Sequence, residues 1–209
     1  MANWRTADRK TMVRNRGAMW TSLLCCDKIC FIQALPVIGM RKTKREGIKM
    51  KKELEFRFAR REDVPLILQF IRELADYEQL LSEVVADEAT LEQWIFDKQK
   101  AEVIFAVVDG KEIGFALFFH NFSTFLGRAG LYLEDLYVQP EYRGNGYGKA
   151  ILKKLAAIAV ERGCGRLEWW CLDWNKPSIE FYRSLGAQPM DEWTVYRIAG
   201  DTLTSLAGE

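Results

Sequence analysis

One stretch constrains this chain more than any other: LYLEDLYVQPEYRGNGYGKA, from Leu131 to Ala150. Its first part, Leu131 to Val138, is apolar or aromatic except for Glu134 and Asp135. That length and the Leu, Tyr and Val content read as a mostly buried strand. Gln139-Pro140-Glu141 ends it, because proline has no N–H with which to continue a ladder. Arg143-Gly144-Asn145-Gly146-Tyr147-Gly148 follows, and from Lys149 to Val160 a helical face recurs at Ile151, Leu152, Leu155, Ile158 and Ala159. Strand, glycine-rich turn and helix in that order leave backbone N–H groups free at a helix N-terminus. There the unpaired amides and the macrodipole attract an anion, commonly a phosphate.

The two familiar nucleotide loops fail on spacing. A Walker loop needs four residues between its first glycine and the Gly-Lys pair, then Ser or Thr; only three separate Gly144 from Gly148, and Ala150 stands at the hydroxyl position. The Rossmann fingerprint needs two residues between its last glycines, and this chain has only Tyr147. A turn that binds nothing is the plain alternative.

The spacing Arg143-Gly144-x-Gly146-x-Gly148, after a strand and opening a helix, resembles the pyrophosphate loop of the GNAT superfamily of acetyl-CoA-dependent N-acetyltransferases. A second block, from Asp173-Trp174-Asn175-Lys176-Pro177-Ser178 through Phe181-Tyr182 to Gly186-Ala187, looks like that superfamily's N-x-P-[SA]-x-x-F-Y-x-x-x-G segment. Within the superfamily, LYLEDLYV, the second block and ELADYE (Glu73 to Glu78) most resemble the diamine (spermidine/spermine-type) and thialysine N-acetyltransferases. The resemblance spans about Glu53 to Ala207. It implies an α/β fold, mixed α+β in detail: a mostly antiparallel central sheet flanked by helices, with a βαβ unit for acetyl-CoA.

Charge divides the chain. Of 30 Lys and Arg and 29 Asp and Glu, residues 1–52 hold 13 and three, which leaves 17 and 26 for residues 53–209. An acidic body suits a small cationic substrate better than a nucleic acid. The basic segment 1–52 is expected to be a disordered extension, a non-native start or leader, ahead of an acetyltransferase domain at 53–209. A transit peptide and a nucleic-acid or membrane-surface arm are its other readings. Its apolar run, Ala18 to Met40, is too interrupted to span a bilayer. Cys25, Cys26 and Cys30 lack a fourth ligand nearby, so no metal is expected. Five cysteines in this pattern fit a reducing cytoplasm better than a disulfide framework.

Along the domain, alternation at Leu54, Phe56 and Phe58 predicts a strand, and Asp63-Val64-Pro65 opens a helix running to about Tyr77. A second helix is expected from near Asp87. Val103–Val108 and Ile113–Phe119 read as a hairpin around Asp109-Gly110. Phe122–Gly130 is expected to cross to the organising strand. Leu167–Leu172 and Trp193–Ile198 read as strands, with a short helix over Pro177–Leu185 between them.

Acetyl transfer to an amine needs an anchored pyrophosphate, a polarised thioester, a deprotonated ammonium and a protonated leaving thiolate. The amides of Arg143 to Gly148 meet the first need, with Gly144, Asn145, Gly146 and Tyr147 shaping the loop. The resemblance adds Lys149 and Ser178 to the CoA-binding set. It also runs the pantetheine arm along Leu136 to Val138 and puts Asn175 against it. It makes Tyr182 the general acid, since the tyrosine of the F-Y pair often faces the CoA sulfur. The resemblance also favours Glu134 as the base, through water, with Asp135 helping in the acceptor site; a primary ammonium is only about one part in a thousand free amine at neutral pH. Adjacent strand residues point to opposite faces, so the two acids share one pocket only if the strand is bulged; a capping or salt-bridged pair is the alternative. Tyr77, Glu78 and Trp174 are expected to line the acceptor site. His120, the only histidine, ends a strand and is assigned no role. Cys164 and Cys171 are expected to be buried as small apolar residues, which favours direct attack in a ternary complex.

The sequence therefore reads as an acetyl-CoA-dependent N-acetyltransferase, metal-free, acting on a polyamine, diamine or lysine analogue. Alternatives are acetylation of a protein N-terminus or lysine, and a non-catalytic acyl-CoA-binding module. A homodimer is implied by resemblance, with the C-terminal strand exchanged; no nucleic acid or membrane partner is expected.

Overall fold

The computed structural model describes residues 53–208, so the expectations for the basic segment and for Cys25, Cys26 and Cys30 lie outside the described residues. Five strands form one sheet in chain order: β1 (Leu54–Phe58), β2 (Glu102–Val108), β3 (Lys111–Ser123), β4 (Arg128–Val138) and β5 (Leu167–Trp169). The first three pairings are antiparallel, and β4 pairs β5 in parallel. Helix α1 (Val64–Tyr77) and the short α2 (Glu88–Glu92), which runs on as a π turn over Gln93–Asp97, lie between β1 and β2. Helix α3 (Tyr147–Glu161) makes the crossover between β4 and β5, which completes the expected βαβ unit. Two further helices follow, α4 (Lys176–Ser184) and α5 (Asp201–Ala207).

Strand β2 explains the layering. Ile104, Ala106 and Val108 pack with Ile151, Leu155 and Ile158 of α3. Val103, Phe105 and Val107 pack with Ile67 and Phe70 of α1. Side chains alternate across a strand, so a fully apolar run is what a sheet covered on both faces requires.

The hairpin joining β3 to β4 is longer and tighter than expected. The residues expected to cross instead extend the ladder to Ser123 opposite Arg128. Ser123 caps the turn, its carbonyl accepting the Gly127 N–H (2.8 Å) and its hydroxyl the Leu126 N–H (3.2 Å). At the other end of that ladder Gly114 faces Val138, and a Cβ on Gly114 would strike the Tyr137 carbonyl oxygen.

The expected strand at Trp193–Ile198 is a correction. Its alternation is there, but it joins no ladder, and strand propensity without a neighbour to pack against does not make a strand. Residues 188–208 are all exposed, and Arg197 only approaches the Trp170 ring (5.6 Å). Strand β5 likewise stops at Trp169 rather than Leu172.

Candidate active site

The site lies where β4 and β5 part. They pair only at Leu131–Leu167, Tyr132–Glu168 and Leu133–Trp169, yet β4 continues to Val138 with ladder partners on its β3 side alone. Leu136 and Val138 thus border an opening on the β5 side. Beyond it stands Asn175, buried, capping α4: its Oδ1 accepts the Ser178 N–H (3.3 Å).

The loop after β4 is built for an anion. Gly144 (φ +76°) and Gly146 (φ +83°) hold left-handed conformations that glycine adopts without penalty. Gly146 is the N-cap of α3 and has no side chain to occupy the first amides; the first intrahelical bond is Ala150 N–H to the Gly146 carbonyl (3.0 Å). No acidic residue stands in the first turn, so the N–H groups of Tyr147, Gly148 and Lys149 remain available. The Asn145 amide donates to the carbonyls of Tyr142 (3.0 Å) and Arg143 (3.2 Å), fixing the turn. Arg143 folds back: its Nε–H donates to the Val138 carbonyl (2.8 Å) and its guanidinium lies over the rings of Tyr77 (4.8 Å) and Tyr137 (5.4 Å).

The acid pair meets the condition the sequence set. Leu117 faces Asp135 and Phe118 faces Leu133, so Glu134 is the extra residue of a bulge. A bulge relieves strict alternation and lets the two carboxylates feel each other's charge. Burial, then Glu134, then Glu78 push the Asp135 carboxyl up to about 7. Burial also raises Glu78, which sits just beyond the end of α1. None of these three carboxylates has an ion-pair partner among the described residues.

Tyr182 packs against Trp169 (5.0 Å between ring centroids) and Phe181 (5.3 Å). Its phenol is pushed up to about 12, by burial first and then by Cys171, Glu78 and Tyr77. Burial, Glu78 and Asp173 likewise raise the Cys171 thiol. Cys171 therefore belongs to the site's surroundings, which the sequence reading missed. Its place four residues before the α4 cap was the available signal. The Tyr77 hydroxyl donates to Asn175 Oδ1 (3.4 Å), and the Tyr77 and Trp174 rings lie 6.3 Å apart. His120 is exposed within β3, paired with Leu131. Among the described residues, no group of three or more His, Cys, Asp or Glu is placed to hold a metal, and no helix is long and apolar enough to cross a membrane.

The amide-lined loop and the open strand edge both follow from the end of β4, and Glu78 links the half-buried Tyr182 phenol to the acids Glu134 and Asp135. That set suits transfer from a phosphate-bearing donor to a cationic nucleophile. The chain belongs to the acetyltransferase (GNAT) family, whose pattern matches residues 68–187, and it is an N-acetyltransferase; membership implies acetyl-CoA as co-substrate. The thialysine N-epsilon-acetyltransferase of Bos taurus is 39% identical over 165 residues, covering 73% of this chain and 96% of that protein. The spermidine/spermine N(1)-acetyltransferase-like protein 1 of Homo sapiens is 31% identical over 182 residues, covering 82% of this chain and 25% of its own length. Among solved structures, an integron cassette protein from the mobile metagenome of V. cholerae superposes with a TM-score of 0.63 at 29% identity, over 75% of this chain and 98% of that one.

Proposed function

We propose that this enzyme acetylates a primary amine of a small cationic acceptor, a polyamine, diamine or lysine analogue, by direct attack in a ternary complex with acetyl-CoA. One observation carries the reading: burial and the charges of Glu134 and Glu78 push the Asp135 carboxyl up to about 7, Glu78 also raises the Tyr182 phenol, and none of the three carboxylates has an ion-pair partner among the described residues. Unpaired, partly buried carboxylates are costly, and a substrate ammonium offsets that cost.

The roles follow from place. The amides from Gly144 to Lys149 hold the donor's pyrophosphate, the Arg143 N–H being taken by the Pro140 carbonyl (3.1 Å), while Leu136, Val138, Asn175 and Ser178 flank its pantetheine arm. Glu78, Tyr77 and Trp174 form the acceptor wall. The Glu134–Asp135 pair takes the ammonium proton: Asp135 titrates near neutrality, where a general base works best, and exposed Glu134 passes the proton to water. Tyr182 keeps its proton at neutral pH and donates a hydrogen bond to the thiolate as it forms, then the proton as it leaves. Free thiols at Cys164 and Cys171 support a cytoplasmic setting. The short, one-sided β5 edge and exposed Trp170, Trp193 and Tyr196 support a homodimer that covers them.

The test is CoA release by the full chain with acetyl-CoA and, in turn, spermidine, putrescine, thialysine, lysine and a short peptide. Turnover with one of the small amines supports the reading. Preference for the peptide moves the acceptor to proteins, and CoA binding without release to any amine leaves a binding module.

A further inference from the structure

Arg143 is held in an unusual way for a cation in an anion-binding loop. Among the described residues it has no carboxylate partner, and its one side-chain hydrogen bond is from Nε–H to the Val138 carbonyl (2.8 Å). The guanidinium rests on the faces of Tyr77 and Tyr137, at 4.8 and 5.4 Å. A guanidinium pinned at Nε and stacked on rings keeps its terminal N–H fork unspent and oriented, which suits a phosphate. Tyr137 is buried in the core, whereas Tyr77 is 40% exposed at the end of α1. The same Tyr77 reaches the α4 cap through its hydroxyl on Asn175 Oδ1 (3.4 Å) and lies 6.3 Å from the Trp174 ring. Its neighbour in the chain is Glu78 of the acid cluster.

We propose that Tyr77 is a positioning residue for the donor: it orients Arg143 toward the pyrophosphate and so ties the affinities for acetyl-CoA and for the amine to each other. One ring spans the phosphate loop, the α4 cap and the acceptor wall. An amine that engages the wall fixes the ring and with it Arg143, and by linkage each substrate tightens the other by the same factor. The identities of the two substrates rest on the function proposed above, but the contact itself does not.

The experiment is calorimetric titration of CoA into the full chain as wild type, Tyr77→Leu, Tyr77→Phe, Arg143→Gln and the Tyr77→Leu/Arg143→Gln double variant. Tyr77→Leu is expected to weaken CoA binding about three- to tenfold, in line with loss of a cation–aromatic contact. Tyr77→Phe, which keeps the ring over Arg143 and loses only the hydroxyl's bond to Asn175, should cost less than Tyr77→Leu. With Arg143 already replaced, Tyr77→Leu should cost nothing more, because the two act as one unit. Should the leucine variant unfold at a lower temperature than wild type, Tyr77→Met, whose unbranched side chain adapts to an irregular gap, carries the same comparison. Unchanged CoA affinity in Tyr77→Leu, or the same loss with and without Arg143, overturns the proposal while leaving the acetyltransferase reading intact. A wild-type chain that binds no CoA overturns both.

Discussion

Glu134 and Asp135 are neighbours in the chain, yet only Asp135 has a partner across the sheet, Leu117; Glu134 is the residue the ladder skips. The skip puts a half-buried acid and an exposed acid side by side. Asp135 is the one held near pH 7, by burial and by the charges of Glu134 and Glu78.

Asp135 should make activity rise with pH. In the unfolded chain its carboxyl titrates near pH 4, and in the fold near 7, so the native state carries the extra proton between those values. Stability should therefore fall as pH rises from about 4 to 7, by at most about 1.4 kcal/mol per pH unit. Asp135→Asn should abolish that slope in chemical denaturation and should remove the limb near pH 7 from the profile of kcat/KM. A slope that persists in the Asn variant assigns the titration to another group.

Glu78 raises Asp135 and is the residue proposed to meet the acceptor. Replacing it by Gln removes one negative charge, so the carboxylate form of Asp135 becomes easier to reach and the midpoint of the pH profile should move to lower pH. KM for a dication should rise about tenfold, the order of magnitude for a lost charge-assisted contact. Steady-state kinetics across about pH 5–9, a range bracketing a near-neutral titration, read both effects at once.

Tyr182→Phe should lower kcat about a hundredfold, the lower end of what a positioned proton donor contributes. Affinity for CoA should change little, because the ring contacts with Trp169 and Phe181 do not need the hydroxyl. A kcat near that of wild type would remove Tyr182 from the proton path.

Gly114→Ala should damage the site from the far side of the sheet. The new methyl meets the Tyr137 carbonyl, and backbone there is fixed by the ladder, so the cost should be about 1–3 kcal/mol. Thermal unfolding should show it, and CoA binding should weaken as well, since Val138 anchors Arg143.

Much of this was legible because the sequence signals are local. The apolar run Val103–Val108, the Pro at the start of α1 and the glycine spacing before α3 each dictate structure within a few residues. The acid pair was legible only as a condition, since a bulge depends on the facing strand and not on the residues that bulge. What escaped was set by partners distant in sequence. Trp193–Ile198 has a strand's alternation and no strand beside it. Cys171 joins the site through charges on other segments, and Arg143 meets Tyr77 across 66 positions that no local pattern spans.

The parting of β4 and β5 has a mechanical consequence. Three residue pairs hold the strands together before they diverge, and beyond them the two sides of the cleft belong to different segments. Those pairs are the shortest pairing in the sheet, so any change of twist there would be felt most at Val138 and Asn175, where the gap is farthest from its support. Amide exchange at Leu131 and Leu133 would report such a change.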